Sequence, residues 1–197
     1  MRINKLALTN FRSYNSLELE FGPGVNTFIG DNGSGKTNIA ESLIYLSFLS
    51  SHRVSNNVPL ISLGNQQAII RTEVQREDRT LQIDLEINAS KANRARINRN
   101  PTRSQREILG VIQIVYFSPE DLDLVRGEPG NRRDFLDRLL ITRTPRLAGV
   151  IADYERVVKQ RNALLKTRTT TSALVPWNEQ LIKLGAEITA ERGALIE

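Results

Sequence analysis

The chain has no cysteine and a single histidine, His52, among 197 residues. The first absence excludes a disulfide framework, a thiolate zinc site and Cys/His catalysis, and the second leaves nothing for a histidine-rich metal site. No run approaches the roughly 20 apolar residues that cross a bilayer. The opening Met1-Arg2-Ile3-Asn4-Lys5-Leu6 lacks the apolar core of a signal peptide. A cytoplasmic chain without a membrane partner is therefore expected. Aromatic residues are scarce, at 6%. What remains is ordinary for a globular protein, with 40% hydrophobic and 25% charged residues. Such a chain can build one large or two small domains.

The net charge is +5, and its distribution says more than its size. Residues 1–88 carry 8 Lys+Arg against 9 Asp+Glu, whereas residues 89–197 carry 19 against 13. Lys91, Arg94, Arg96, Arg99, Arg103 and Arg106 fall in a stretch without an acid. A second surplus runs from Arg143 to Arg168. Such asymmetry fits a polyanionic partner. Lys91, Arg94, Arg96, Arg99 and Arg103 are the candidate contacts to a polyanion such as DNA, whose backbone they would meet with little base readout because few aromatics interleave with them; a solvated loop and a solvated helix face are the alternative reading.

Alternation predicts two strands at the start, around Leu6, Leu8 and Phe11 and around Leu17, Leu19 and Phe21, joined by a turn at Arg12 to Asn15. Val25 to Ile29 is expected to be a short third strand. From Lys36 the pattern turns helical, with Ile39, Ala40, Leu43, Ile44 and Phe48 spaced for one buried face. Ala68 to Gln75 and Leu81 to Asn88 predict a hairpin around Glu77-Asp78-Arg79, with a further turn at Ile97 to Pro101. The apolar run Val111 to Phe117 has the length of a buried strand. Beyond Pro119 only helical signals remain. Leu147, Ile151, Tyr154, Val158 and Leu165 form a seam that Trp177, Leu181, Leu184, Ile188 and Leu195 repeat. Thr167 to Pro176 is expected to connect them.

The strongest chemical signal is Gly30-Asp31-Asn32-Gly33-Ser34-Gly35-Lys36-Thr37, which fits G-x-x-x-x-G-K-[ST]. It lies between an apolar segment and an amphipathic helix, as its chemistry requires. Glycines let backbone N–H groups converge on phosphate oxygens at the positive end of the helix dipole. Lys36 would reach the β and γ phosphates, and the Thr37 hydroxyl would ligate Mg²⁺. ATP and Mg²⁺ are the expected cofactors. No N-K-x-D motif points to a GTPase, and antiparallel strands before the loop with a hairpin after it differ from the parallel βα units of a small-molecule kinase.

Leu8-Thr9-Asn10-Phe11-Arg12-Ser13-Tyr14, taken with Ile29 to Asn38, resembles the start of the SMC, Rad50 and RecF group of P-loop ATPases. Leu49 to Arg53, Phe117-Ser118-Pro119-Glu120-Asp121-Leu122, Arg132 to Asp137 and Lys159 to Lys166 narrow the resemblance to the RecF family. The implied fold is an α/β, ABC-type ATPase head with a mixed sheet over residues 1–118, followed over residues 119–197 by a helical lobe with a short antiparallel arm. The same resemblance adds Asn38 to the phosphate loop and places Arg12 beside the nucleotide. It implies an ATP-dependent homodimer on single-stranded or gapped DNA, RecO and RecR as partners, support of RecA loading and a link to the SOS response. ABC-type heads also need a signature loop and an acidic Walker B pair. Neither is present, since Leu63-Gly64 lacks a Ser-Gly-Gly core and Ile83-Asp84-Leu85-Glu86 alternates like a solvated strand. The chain is thus expected to be the N-terminal portion of a longer protein. The competing readings are a P-loop NTPase of another class whose basic tract is plain surface, and a scaffold in which nucleotide binding alone switches dimerisation.

Overall fold

The structure is a computed structural model describing residues 1–54, 56–167 and 170–196. It divides into two compact units, Met1–Tyr116 and Phe117–Glu197. The first is built on β1 (Arg2–Phe11), β2 (Tyr14–Glu20), β3 (Gln67–Arg76), β4 (Arg79–Asn88), β5 (Arg94–Ile97) and β6 (Asn100–Pro101), with α1 (Lys36–Phe48) between β2 and β3. These strands form one sheet in the order β2-β1-β3-β4-β5-β6, and every pairing is antiparallel.

Period-two alternation decides which side of the sheet is wet. Leu6 and Leu8 of β1, Ala68, Ile70 and Val74 of β3, Ile83, Leu85 and Ile87 of β4 and Ala95 of β5 are buried in one cluster with Ile39, Tyr45 and Leu46 of α1. Burying each large aliphatic side chain is worth about 1.5–3 kcal/mol, so this face supplies most of the unit's cohesion. Tight turns set the registers. Arg76 pairs with Arg79 around Glu77, whose φ is +53°, and Ile97 pairs with Asn100 around Asn98 and Arg99, both in the left-handed region. That is the conformation a two-residue hairpin needs to match strand twist.

The structure corrects the expected elements in four places. Val25 to Ile29 is not a strand, and Val25 and Ile29 are each 93% exposed. The apolar run from Val111 gives only an isolated bridge between Leu109 and Ile112, after which Val115 and Phe117 stand in solvent. No described strand lies beside either segment, so their backbones have no ladder to join. In α1 the expected face is shifted, because Ala40 is exposed while Glu41, Ser42 and Ser47 are buried. The fourth correction is Pro176, which sits inside a helix and does not close a connection.

The second unit contains α2 (Asp123–Arg126), α3 (Pro129–Arg143), α4 (Leu147–Lys166) and α5 (Thr171–Ile196). Arg168 and Thr169 of the expected connection lie outside the described residues. Leu140, Leu147, Ile151 and Ile188 form its core, flanked by Tyr154 and Leu195. Gly185 lets α5 approach α4, since a Cβ there would stand 3.3 Å from the Tyr154 ring. Arg192 of α5 grips Asp137 of α3 through two hydrogen bonds of 2.8 and 2.7 Å. Arg161, at a seam position, donates to Asn178 across the hairpin at 2.7 Å.

Burial separates the two kinds of apolar segment in a urea titration. Leu85→Ala should cost about 2–4 kcal/mol, as expected for a truncated core leucine. Val25→Thr and Ile29→Thr should each cost less than about 0.5 kcal/mol, as solvent-facing changes do. Comparable losses from both sets would mean that Val25 to Ile29 is packed.

Candidate phosphate-binding site and basic tract

The loop Gly30 to Gly35 runs directly into α1, whose N-cap is Gly35 at φ +98°. That end of the helix has no side-chain cap and no acid in its first turn. Ser34 N–H closes a turn onto the Asp31 carbonyl at 3.2 Å, whereas the N–H groups of Gly33, Gly35, Lys36 and Thr37 make no backbone bond among the described residues. Gly33, at φ +85°, has open space where a Cβ would be. Donors without partners, a helix dipole and nearby room make a cradle for an anion with several acceptor oxygens. Lys36 folds over the loop, its ammonium donating to the carbonyls of Gly30 at 2.6 Å and Asp31 at 2.7 Å. Thr37 is exposed at the mouth with its hydroxyl unengaged. The residues fit a polyphosphate, with Lys36 as the fixed cation and Thr37 as the hydroxyl available to a divalent ion.

The β1–β2 turn closes one side of this loop. Tyr14 Oη donates to the Ser34 carbonyl at 3.3 Å, and Asn38 Nδ2 donates to Ser13 Oγ at 3.0 Å. A Cβ at Gly35 would sit 2.6 Å from Tyr14 Oη and 2.9 Å from Ser13 Oγ, so glycine is required there for contact as well as for φ. Arg12, expected beside the nucleotide, turns inward. Its Nε and Nη2 donate to the two oxygens of Glu41 at 2.9 and 2.6 Å, and its Nη1 donates to the Pro59 carbonyl at 2.9 Å. The role the structure gives Arg12 is to hold the turn against α1.

Glu41 was missed by sequence reasoning and proves central. Its side chain is fully buried and also accepts from Ser51 Oγ at 2.5 Å and from Arg53 Nη1 at 3.2 Å. Arg53 in turn donates to Asn38 Oδ1 at 3.0 Å. Burial alone would push the Glu41 carboxyl up. The hydrogen bonds from Arg12 and Ser51, with the charges of Arg12 and Arg53, outweigh it and hold the pKa below the ordinary value. An acid five residues after the phosphate-loop lysine, with Arg12 and Arg53 flanking in sequence, was the available signal.

The basic tract splits in two. Arg94 and Arg96 lie on the solvent face of β5, directly across from Glu86 and Asp84 of β4. Asp84 also pairs with Arg71 of β3, 3.9 Å away. This face alternates in sign across the strands, and the acids of Ile83 to Glu86 belong to it, as a solvated strand requires. Arg99 is at the tip of the β5–β6 turn. Lys91 and Arg103, with Arg106, instead line a separate groove next to Asn56, Asn57 and Asn93. Among the described residues no cluster of His, Asp and Glu could hold a metal, and no helix is long and apolar enough to cross a membrane.

The sheet, the loop at a helix N-terminus and the lysine define a P-loop ATPase head of ABC type. A family model described as an AAA domain matches residues 5–167, and the chain belongs to that family. Within it the chain is similar to RecF proteins. It is 48% identical over a 204-residue alignment to the DNA replication and repair protein RecF of Kineococcus radiotolerans, covering 100% of this chain and 52% of that protein. It is likewise 48% identical to the RecF of Streptomyces avermitilis, over 100% of this chain and 55% of the relative. The chain thus spans about half the length of the curated relatives it matches. A solved structure of the recombination mediator protein RecF with ATPrS superposes with a TM-score of 0.90 at 28% identity, over 99% of this chain and 54% of that one. An SMC ATPase structure shares the fold, with a TM-score of 0.57 at 22% identity over 70% of this chain and 98% of that one.

The Glu41 cluster carries a pH signature. Because the folded-state pKa lies below the ordinary 4.5, its contribution to stability is complete above that value and disappears as pH falls through the folded-state pKa. Glu41→Gln should destabilise by about 2–4 kcal/mol at pH 7, since it leaves Arg12 and Arg53 without their counter-charge. The variant should also lose part of the stability drop below pH 4.5 that thermal melts of the parent chain display. Parallel melting curves for parent and variant down to pH 3 would contradict this account.

Proposed function

We propose that this chain is the ATP-binding portion of a RecF-type DNA replication and repair protein. The observation that carries the reading is the uncapped N-terminus of α1 behind Gly30 to Gly35, with Lys36 across it, in a chain whose curated relatives are RecF. Backbone N–H groups of Gly33, Gly35, Lys36 and Thr37 hold phosphate oxygens, Lys36 compensates their charge, and Thr37 offers its hydroxyl to Mg²⁺. A Mg²⁺ held by the Thr37 hydroxyl would supply charge compensation for phosphoryl oxygens. Asp31, Asn32, Ser34 and Asn38 shape the loop, Asn38 by bonding both Ser13 and Arg53.

The basic tract from Lys91 to Arg106 gives this head its contact with DNA, directed at phosphates and independent of sequence. ATP promotes a head-to-head homodimer on single-stranded or gapped DNA, and the assembly works with RecO and RecR to support RecA loading and SOS induction in the cytoplasm. In the longer RecF-type protein, the remaining half supplies strands that cover Val25 to Ile29 and the exposed end of the Val111 to Phe117 run. Residues 1–118 act as the nucleotide-binding lobe, and residues 119–197 as the helical lobe and arm.

Titration with a fluorescent ATP analogue tests the phosphate assignment. Lys36→Ala should weaken binding by at least about tenfold, and Lys36→Arg should not restore it, because a planar guanidinium does not replace a compact ammonium. Both variants should melt close to the parent. Unchanged affinity in both would remove the assignment.

Hydrolysis gives a second outcome. The groups named hold phosphates in the ground state, whereas phosphoryl transfer needs a positioned water and charge opposite the γ-phosphate. The purified chain should therefore bind ATP without turnover above background. Steady-state turnover abolished by Lys36→Ala would show that a complete catalytic set lies within these residues.

A further inference from the structure

The groove beside Lys91 has the chemistry of a built site. It is an open channel of about 600 Å³ between three segments: Asn56 to Val58, Asn88 to Asn93, and Arg103 to Arg106. Lys91, Arg103 and Arg106 line it, and no acid does. None of the three cations has a carboxylate or hydrogen-bond partner for its charged group among the described residues. Arg94 and Arg96 also make no ion pair among the described residues, but each stands across the ladder from an acid, Glu86 or Asp84, whose charge weakens the local positive field.

Hydrogen-bond bookkeeping points the same way. Asn56 spends its side-chain carbonyl on Val58 N–H at 3.1 Å, Asn57 on Tyr45 Oη at 2.8 Å, and Asn93 on Asn88 N–H at 3.0 Å. Ser104 Oγ accepts from Arg106 N–H at 3.3 Å, and Glu107 Oε1 accepts from the N–H groups of Arg103 and Ser104. Among the described residues the Nδ2 groups of Asn56 and Asn57 make no hydrogen bond beside the three cations, while Asn88 Oδ1 and the buried Gln105 Oε1 are side-chain acceptors left over. Donors far outnumber acceptors, so the ligand must be rich in acceptors and negative charge. Tyr45 makes the geometry rigid. Burial pushes its phenol up to about 12 despite its bonds to Asn93 and Asn57, so it stays neutral and ties two walls of the groove to α1.

We infer that this groove, and not the outer sheet face bearing Arg94 and Arg96, holds the phosphodiester backbone of a nucleic acid strand. The inference rests on the DNA-binding reading above and gives it a place. No aromatic ring lines the groove, so bases are not stacked there and the recognition is of the backbone. Its open shape suits a strand passing through better than an enclosed mononucleotide.

The test is fluorescence anisotropy of the whole chain with labelled dT20 and with a 20-base-pair duplex, over a series of salt concentrations. Lys91→Ser/Arg103→Ser/Arg106→Ser should weaken binding about a hundredfold and flatten the log-log salt slope by about two units on dT20 and nearly three on the duplex, the losses expected for three phosphate contacts. Arg94→Ser/Arg96→Ser should change affinity less than about threefold, because Glu86 and Asp84 across the ladder weaken the positive field of that face. Arg103→Lys/Arg106→Lys keeps the charges and should retain the slope, which separates lost phosphate contacts from misfolding. A large loss from Arg94→Ser/Arg96→Ser with none from the groove variant would overturn the inference and leave the DNA reading standing. Failure of the parent chain to bind either probe at low salt would overturn both.

Discussion

The first unit depends on one buried carboxylate. Glu41 lies in the middle of α1 with no solvent contact, and a charge in that position survives only if it is paired and hydrogen-bonded. The four bonds it accepts come from three residues in two parts of the chain: Arg12 after β1, and Ser51 and Arg53 just past α1. Arg12 can reach it because Asn10 and Arg12 both adopt left-handed φ, +50° and +54°. That kink sends Phe11 into the core and the guanidinium toward the helix. Ser62 then locks the bend, its N–H donating to the Asn10 carbonyl and its hydroxyl to that of Arg12. The β1–β2 turn is thereby set against Gly35, and the phosphate loop takes its shape from a charge that never meets phosphate.

Electrostatics of the basic tract illustrates why counting charges along a sequence is not enough. Six cations without an acid between them look equivalent as a string, yet strand register gives them different neighbours. Pairing of β4 with β5 sets Asp84 against Arg96 and Glu86 against Arg94, and pairing of β3 with β4 adds Arg71 to the same row. On an exposed face such pairs are worth little to stability. Their effect is on the field, which they flatten. Lys91, Arg103 and Arg106 leave the sheet before a partner strand can answer them, and their field persists in the groove.

The sequence made legible whatever depends on local pattern. Alternation located β1 through β4, glycine spacing located the phosphate loop, and the heptad seam located α4 and α5. Elements that depend on a partner were not legible. Val25 to Ile29 and Val111 to Phe117 have strand composition, but a strand is a property of a pair, and neither joins a ladder among the described residues. Pro176 looked like a stop, yet it lies inside α5, where it removes one intrahelical hydrogen bond without ending the helix. The pairing of Arg12 with Glu41, 29 residues apart, was not legible either. A glutamate in a helix otherwise carries no mark distinguishing a buried clamp from a solvated surface.

Helix α1 explains why the clamp matters beyond the loop. Lys36 and Thr37 stand at its first turn, Glu41 one turn on, and Tyr45 one turn further, so the phosphate cradle and the groove are about 12 Å apart along a single rigid element at 1.5 Å per residue. Tyr45 fixes Asn57 and Asn93, while Arg12 reaches from Glu41 to the Pro59 carbonyl two residues beyond Asn57. The segment that forms one wall of the groove is therefore held by two successive turns of the helix whose start holds the phosphate loop. Changes at Lys36 disturb the cradle alone, and changes at Arg103 or Arg106 disturb the groove alone. A change at Glu41 loosens the turn that shapes the loop and the segment that shapes the groove together, because both are anchored to the same carboxylate.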